Sequence, residues 1–173
     1  MPLLTAEEFG ALWDDFRHSA FKFEVRDRYS VSSEQESLSR FLADEPDPDR
    51  ARRPWLARMK TATQQGKRIE RVRVVSEPHS DYVRWLLAGG PLNAEAGEDI
   101  RYLPRPKTEG SGLPGYDFAL FDSRQLVRLH FDENDRPLRH ELVTDPAVVV
   151  RHCYWRDAAW HYAVPFARYA QQR

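Results

Sequence analysis

The sequence predicts a mixed α/β fold: a central sheet with a parallel N-terminal part and an antiparallel meander, flanked by helices, with a long C-terminal helix. Three observations carry this. Arg71 to Arg105 reads as strand, polar turn, helix and second strand, the pattern of a β-α-β unit. Phe118 to Phe121, Leu126 to Phe131 and Leu138 to Val143 are short apolar-polar alternations, the last two joined by a tight turn at Glu133 to Arg136, as in a meander. Thr144-Asp-Pro146 then opens a stretch whose Val148, Val149, His152, Trp155, Ala159 and Tyr162 recur at helical spacing. With 173 residues, 41% of them apolar and 31% charged, the chain is long enough to bury a core and is expected to form a single domain over 1–173.

The elements follow in order. Thr5-Ala-Glu-Glu8 is a capping-box pattern, and Phe9, Leu12, Trp13 and Phe16 continue at helical spacing, so the first helix is expected from Thr5 to about Ser19. Phe21, Phe23 and Val25 alternate with Lys22, Glu24 and Arg26, which reads as a half-buried strand. Ser33 to Glu36 repeats the capping-box spacing and opens a short helix through Leu38, Phe41 and Leu42. Asp44 to Asp49, acidic and proline-bearing, is a loop. Pro54 suits a first helical turn, and Gly66 can end the helix that carries Trp55, Leu56, Met59 and Ala62. A strand from Lys67 to Val75 follows. Tyr82 to Leu87 form a helix, for which Gly89-Gly90-Pro91 is a stop signal. Ile100 to Leu103 is a short strand. Arg105 to Gly115, rich in proline and glycine, is expected to be a mobile loop. Pairing Asp132 with Pro137 across the meander turn sets Val127, Leu129 and Phe131 opposite Leu142, His140 and Leu138, with Arg128, His130, Arg139 and Glu141 on the polar face. Pro165 must kink or end the last helix.

Several function classes are disfavoured. A net charge of −1 argues against a dedicated DNA binder, so nucleic acid is not the expected partner. No apolar run approaches the roughly 20 residues that span a bilayer. The N-terminus has neither a basic region nor an apolar core, so no membrane association and a cytoplasmic location are expected. The lone Cys153 cannot form an internal disulfide. The six histidines include no H-x-H or H-E-x-x-H spacing, so no metal is expected. No G-x-x-x-x-G-K, G-x-G-x-x-G or G-x-S-x-G pattern occurs, and no cofactor is implied.

The candidate site lies at the strand ends. Arg26 to Tyr29, Ser76 to Ser80 and Pro104-Arg105 each follow a strand, and parallel strands would bring them to one edge of the sheet. Free N–H groups at the helix begun by Ser80 favour an anion, and arginine matches phosphate or carboxylate through its fork. The expected ligand-binding residues are Arg28, Ser76, Glu77, His79, Ser80 and Arg105, with an anionic small molecule as ligand. The plainer alternative is helix capping by Ser80 with solvated loop charges. His130 on the polar face could serve as a base, but a solvated face explains it equally. Cys153 and His152 are neighbours on a helix, about 100° apart, and do not face each other. Tyr154, Trp155, Trp160, Tyr162, Phe166 and Tyr169, with Arg151, Arg156 and Arg168 among them, suit core packing first and a protein interface second.

Phe9-Gly-x-Leu-Trp13, Ala20-Phe-Lys-Phe-Glu-Val-Arg-Asp-x-Tyr29, Ser80-Asp-Tyr-x-Arg-Trp85, Ala96-Gly-Glu-Asp-Ile-Arg101, Asp117-Phe-x-Leu-Phe-Asp-Ser-Arg124 and His152-Cys-Tyr-Trp-Arg-Asp157 together resemble an actinobacterial domain-of-unknown-function family. Its members are often encoded near XRE-type helix-turn-helix regulators and small acidic partner proteins. The resemblance implies a regulatory role and a protein partner of one of those kinds, and no established activity. The second half is also similar to half of a phospholipase-D-like domain. That superfamily carries H-x-K-x-x-x-x-D on the strand after the loop, whereas the window Gly115 to Ser123 holds neither histidine nor lysine. The expectation is therefore a non-catalytic regulatory or partner-binding module gated by an anionic ligand. A hydrolase or transferase acting on a phosphorylated or nucleotide-like substrate is the alternative.

Overall fold

The computed structural model describes residues 2–172. Strand β1 (Leu3–Leu4) leads into helix α1 (Ala6–Asp15). The capping box forms: Glu8 N–H donates to Thr5 Oγ1 at 3.1 Å, and Thr5 N–H donates to the Glu8 carboxylate at 2.7 Å. The helix stops at Asp15 rather than near Ser19. The N–H groups of Arg17, His18 and Ser19 instead donate to the Asp122 carboxylate at 2.8, 2.7 and 3.0 Å, which draws the chain out into strand β2 (Ser19–Glu24).

A 3-10 turn at Ser32–Glu34 precedes α2 (Gln35–Leu42). No side chain caps this helix, so the second capping box does not form. Glu34, which stands at the cap, gives its carboxylate to Arg53 and Tyr82, each at 2.7 Å. Helix α3 (Pro54–Gln64) has Pro54 in its first turn, and Gly66 follows at φ +79°, the left-handed conformation that ends helices. Strand β3 (Arg68–Val75) then leads to α4 (Asp81–Glu95).

Helix α4 runs straight through Gly89-Gly90-Pro91. The glycines serve packing there rather than termination. A Cβ on Gly90 would lie 2.2 Å from the Phe166 ring, and one on Gly89 would lie 2.8 Å from the Arg50 guanidinium. Strand β4 (Asp99–Pro104) follows. A 3-10 turn at Arg105–Thr108 and hydrogen bonds from Thr108 Oγ1 to Arg105 O and from Ser111 Oγ to Thr108 O shape the segment read as a loop. The meander is β5 (Asp117–Phe121), β6 (Gln125–Phe131) and β7 (Pro137–Val143). Val127 pairs with Leu142 and Leu129 with His140, as the alternation predicts; a bulge at His130/Phe131 then pairs Phe131 with Pro137 instead of Leu138. Helix α5 (Pro146–Tyr162) ends before β8 (Val164–Pro165), and α6 (Phe166–Gln171) closes the described chain.

All eight strands form one sheet in the order β1-β7-β6-β5-β2-β3-β4-β8. Strands β2, β3 and β4 are mutually parallel, and every other pairing is antiparallel. Trp13 from α1, Phe16 just past it, and Leu56, Met59 and Ala62 from α3 pack on one face with Ile69, Phe121 and Val127. Val149 and Ala159 from α5 pack on the other face, against Phe21, Phe23, Val72 and Val74. Helices therefore cover the centre of the sheet on both sides. Strand β2 is not half-solvated, and its Glu24 is only 5% exposed. Among the described residues no helix is long and apolar enough to cross a membrane.

Candidate functional site

Parallel pairing carries the C-terminal ends of β2, β3 and β4 to one edge of the sheet. Asp27, just past β2, organises that edge. Ser76 donates to its carboxylate through N–H at 2.8 Å and Oγ at 2.6 Å, and Ser80 Oγ donates to its backbone carbonyl. Arg105 closes the group: Nε donates to Ser76 Oγ at 2.8 Å, and Nη2 donates to Val25 O at 2.8 Å and to Asp27 at 3.1 Å. Burial raises the Asp27 carboxyl, but the hydrogen bonds from Ser76 and the Arg105 charge outweigh it and hold the group below its ordinary range.

Ser80 also caps α4, accepting from Val83 N at 3.1 Å. His79 Nδ1 lies 3.0 Å from Ser76 O, and the Tyr169 hydroxyl bridges His79 Nε2 at 3.1 Å and Glu77 at 2.9 Å. Ser76, Ser80 and Arg105 thus gather on Asp27, while Glu77 and His79 gather on Tyr169. Arg28 does neither; it turns to Asp135 in the β6–β7 turn at 2.8 Å. Asp27 and Tyr169, the two organising residues, were not in the set read from sequence. The acid's only signal was its place directly after a strand.

Arg105 also lines a cleft of about 580 Å³ between these strand ends and the meander, together with Arg26, Tyr116, Asp117, His130 and Arg139. Asp117 is 2% exposed. Its oxygens accept from Val25 N at 3.0 Å and from the Tyr29 hydroxyl at 2.5 Å. Burial outweighs these bonds and pushes the carboxyl up to about 6. His130 Nε2 meets Glu141 at 3.2 Å. Tyr116 is anchored by His152 Nε2 at 3.0 Å, and His152 Nδ1 meets Val148 O at 2.8 Å, so both ring nitrogens have partners other than Cys153.

A second polar group lies on the face of the sheet covered by α1 and α3. Arg71 donates to Glu24 at 2.5 Å and to Glu98 at 2.8 Å; Arg73 donates to Glu24 at 2.9 Å and to the Tyr102 hydroxyl at 3.3 Å. Trp55 Nε1 and Asn93 Nδ2 satisfy the other Glu98 oxygen at 3.1 and 2.8 Å. Burial penalises the Glu24 charge, but Arg71, Lys22 and Arg73 outweigh it and hold that carboxyl far below the usual range. The alternation of Lys22, Glu24 and Arg26 with Phe21, Phe23 and Val25 predicts a half-buried strand, and the strand Lys67 to Val75 carries no face assignment; the helices that cover Glu24, Arg71 and Arg73 cannot be seen from strand periodicity.

No curated protein sequence matches the chain. Among solved structures, it is similar to the crystal structure of a phospholipase D family member, Nuc from Salmonella typhimurium. The TM-score is 0.56 at 10% identity, over 95% of this chain and 97% of that one. The likeness is one of fold, and it takes in the first half of the chain as well as the second. A family model matches residues 7–171, and the chain therefore belongs to the family described as Domain of unknown function (DUF6879).

Proposed function

We propose that the chain is a non-catalytic binding module that takes an anionic, phosphate-like ligand in the strand-end cleft and acts on a regulatory partner protein. The observation that carries this reading is the make-up of the cleft. Among the described residues Arg139 makes no ion pair, Arg26 and Arg105 add guanidinium groups that are paired with Asp135 and Asp27, and both oxygens of Asp117 are already committed to Tyr29 and Val25. The phospholipase-D-like resemblance supports the same reading. Its H-x-K-x-x-x-x-D spacing, ended on Asp122, puts Gly115 and Asp117 where histidine and lysine would stand, so that motif's histidine and lysine are both missing. Exposed Leu138, Val150 and Tyr154 suit a protein partner, for which a helix-turn-helix regulator or a small acidic protein is the reading the family resemblance favours.

Calorimetry with inorganic phosphate and bis(p-nitrophenyl) phosphate tests the ligand reading. Binding without release of p-nitrophenol is expected, weakened at least tenfold by joint Arg105→Ala and Arg139→Ala substitution, with folding checked by thermal unfolding. Absence of binding overturns it. Capture of the tagged chain from its native cell, followed by mass spectrometry, tests the partner.

One observation favours the second reading, a hydrolase or transferase acting on a phosphorylated substrate. Asp117, whose carboxyl is pushed up to about 6, lines the same cleft as His130 and would exchange a proton near neutral pH. Turnover of the diester that Asp117→Asn abolishes would establish that reading instead.

A further inference from the structure

On the face of the sheet opposite α5, a cavity of about 360 Å³ lies over the Glu24–Arg71–Arg73 group. Its walls are aromatic: Trp13, Trp55, Trp85, Tyr29, Tyr82 and Phe131. Guanidinium groups lie over these rings, Arg71 at 5.3 Å from Trp55, and Arg50 and Arg53 at 5.2 and 5.4 Å from Trp85. Lys22, Arg50, Arg53, Arg58, Arg71 and Arg73 line the space, against only Glu24 and Glu34 as acids. Glu98 and Asp14, just behind the wall, pair with Arg71 and Arg58, and the six cations still outnumber these four acids, so the cavity carries excess positive charge beside its aromatic walls.

The fold does not require this arrangement. On the other face the same strands bury Phe21, Phe23, Val72 and Val74, and an apolar centre serves. Buried ion networks are often no more stabilising than the apolar groups that could replace them. A second observation points the same way. Gly10 sits inside α1 at the cavity wall, where glycine weakens a helix by about 1 kcal/mol relative to alanine. A Cβ there would meet nothing within 4 Å, so no close packing calls for the glycine; its effect is to leave the cavity open.

We infer that this cavity is a binding site for a planar aromatic anion, a ring bearing a carboxylate or phosphate, held against the part-exposed rings of Trp55, Tyr29 and Phe131 with its charge toward the guanidinium groups; Trp13 and Trp85, 4% and 0% exposed, back that surface. The volume falls in the range of small-molecule sites, about 300–1,000 Å³. The site lies apart from the strand-end cleft and stands independently of it.

Tryptophan fluorescence titration with AMP and 1-naphthoate tests it, with adenosine as the ring alone and inorganic phosphate as the charge alone. Saturable quenching by the aromatic anions is expected, at least tenfold tighter than by either control. Removing Arg73 endangers the fold, so the diagnostic variant is Gly10→Leu, which adds bulk into open space and touches no ion pair. It should weaken aromatic-anion binding at least tenfold with an unchanged or raised Tm. The Arg105→Ala, Arg139→Ala double variant should leave that binding intact, which separates this site from the strand-end cleft. Absence of saturable binding by both aromatic anions, or undiminished binding in Gly10→Leu, overturns the inference.

Discussion

Replacing Asp117 by asparagine should make the protein more stable at neutral pH. Asp117 opens β5 with 2% of its surface exposed, and burial pushes its carboxyl from an ordinary 3.8 up to about 6. Between those values the folded chain holds a proton that the unfolded chain has released. The native state is therefore favoured below about pH 4 and loses stability as pH rises through about 6. Roughly two pKa units at about 1.36 kcal/mol each give about 3 kcal/mol withheld from stability at pH 7. The amide of the Asp117→Asn variant cannot ionise and escapes that loss. It has one oxygen where the carboxylate accepts from both Val25 N and Tyr29, so one hydrogen bond, about 1 kcal/mol, is lost. The net gain at pH 7.5 is about 2 kcal/mol, falling to zero or slightly below at pH 4. Urea unfolding of both proteins at several pH values between 4 and 7.5 measures it. A variant less stable than the parent by the same margin at every pH would mean that the carboxyl does not titrate in this window, and the burial argument would fail.

Three further substitutions extend the test. Glu24→Gln leaves Arg71 and Arg73 facing a neutral amide at a site where Glu24 is 5% exposed; a loss of about 3–5 kcal/mol in urea unfolding is expected, and a loss under about 1 kcal/mol would contradict the account. The two glycines Gly10 and Gly90 should respond with opposite signs. Gly10→Ala should raise stability by up to about 1 kcal/mol, whereas Gly90→Ala, with its Cβ driven to 2.2 Å from Phe166, should lower it by about 1–3 kcal/mol, both read from the unfolding midpoint.

The candidate site was legible only in outline. Ser76, Ser80 and Arg105 could be nominated because each stands at the end of a strand, and parallel strands share an edge. That Asp27 would tie them together, and that Arg28 would leave for Asp135, depended on loop paths that carry no periodic signal. The Gly-Gly-Pro of α4 misled for a related reason. Local propensity reads glycine as a break, whereas here Phe166 and Arg50, distant in the chain, need the space that glycine leaves.

From the sequence alone come the α/β class, the parallel unit, the meander register up to its bulge and the capping box at Thr5, because these rest on side-chain periodicity and hydrogen bonds between near neighbours. Tertiary structure alone decided which polar residues are buried. Lys22-x-Glu24 and Arg71-x-Arg73 alternate like any surface pair, and only the helices laid across them turn that alternation into the floor of a charged cavity. Burial is a property of what covers a residue, and a strand's own pattern cannot report it.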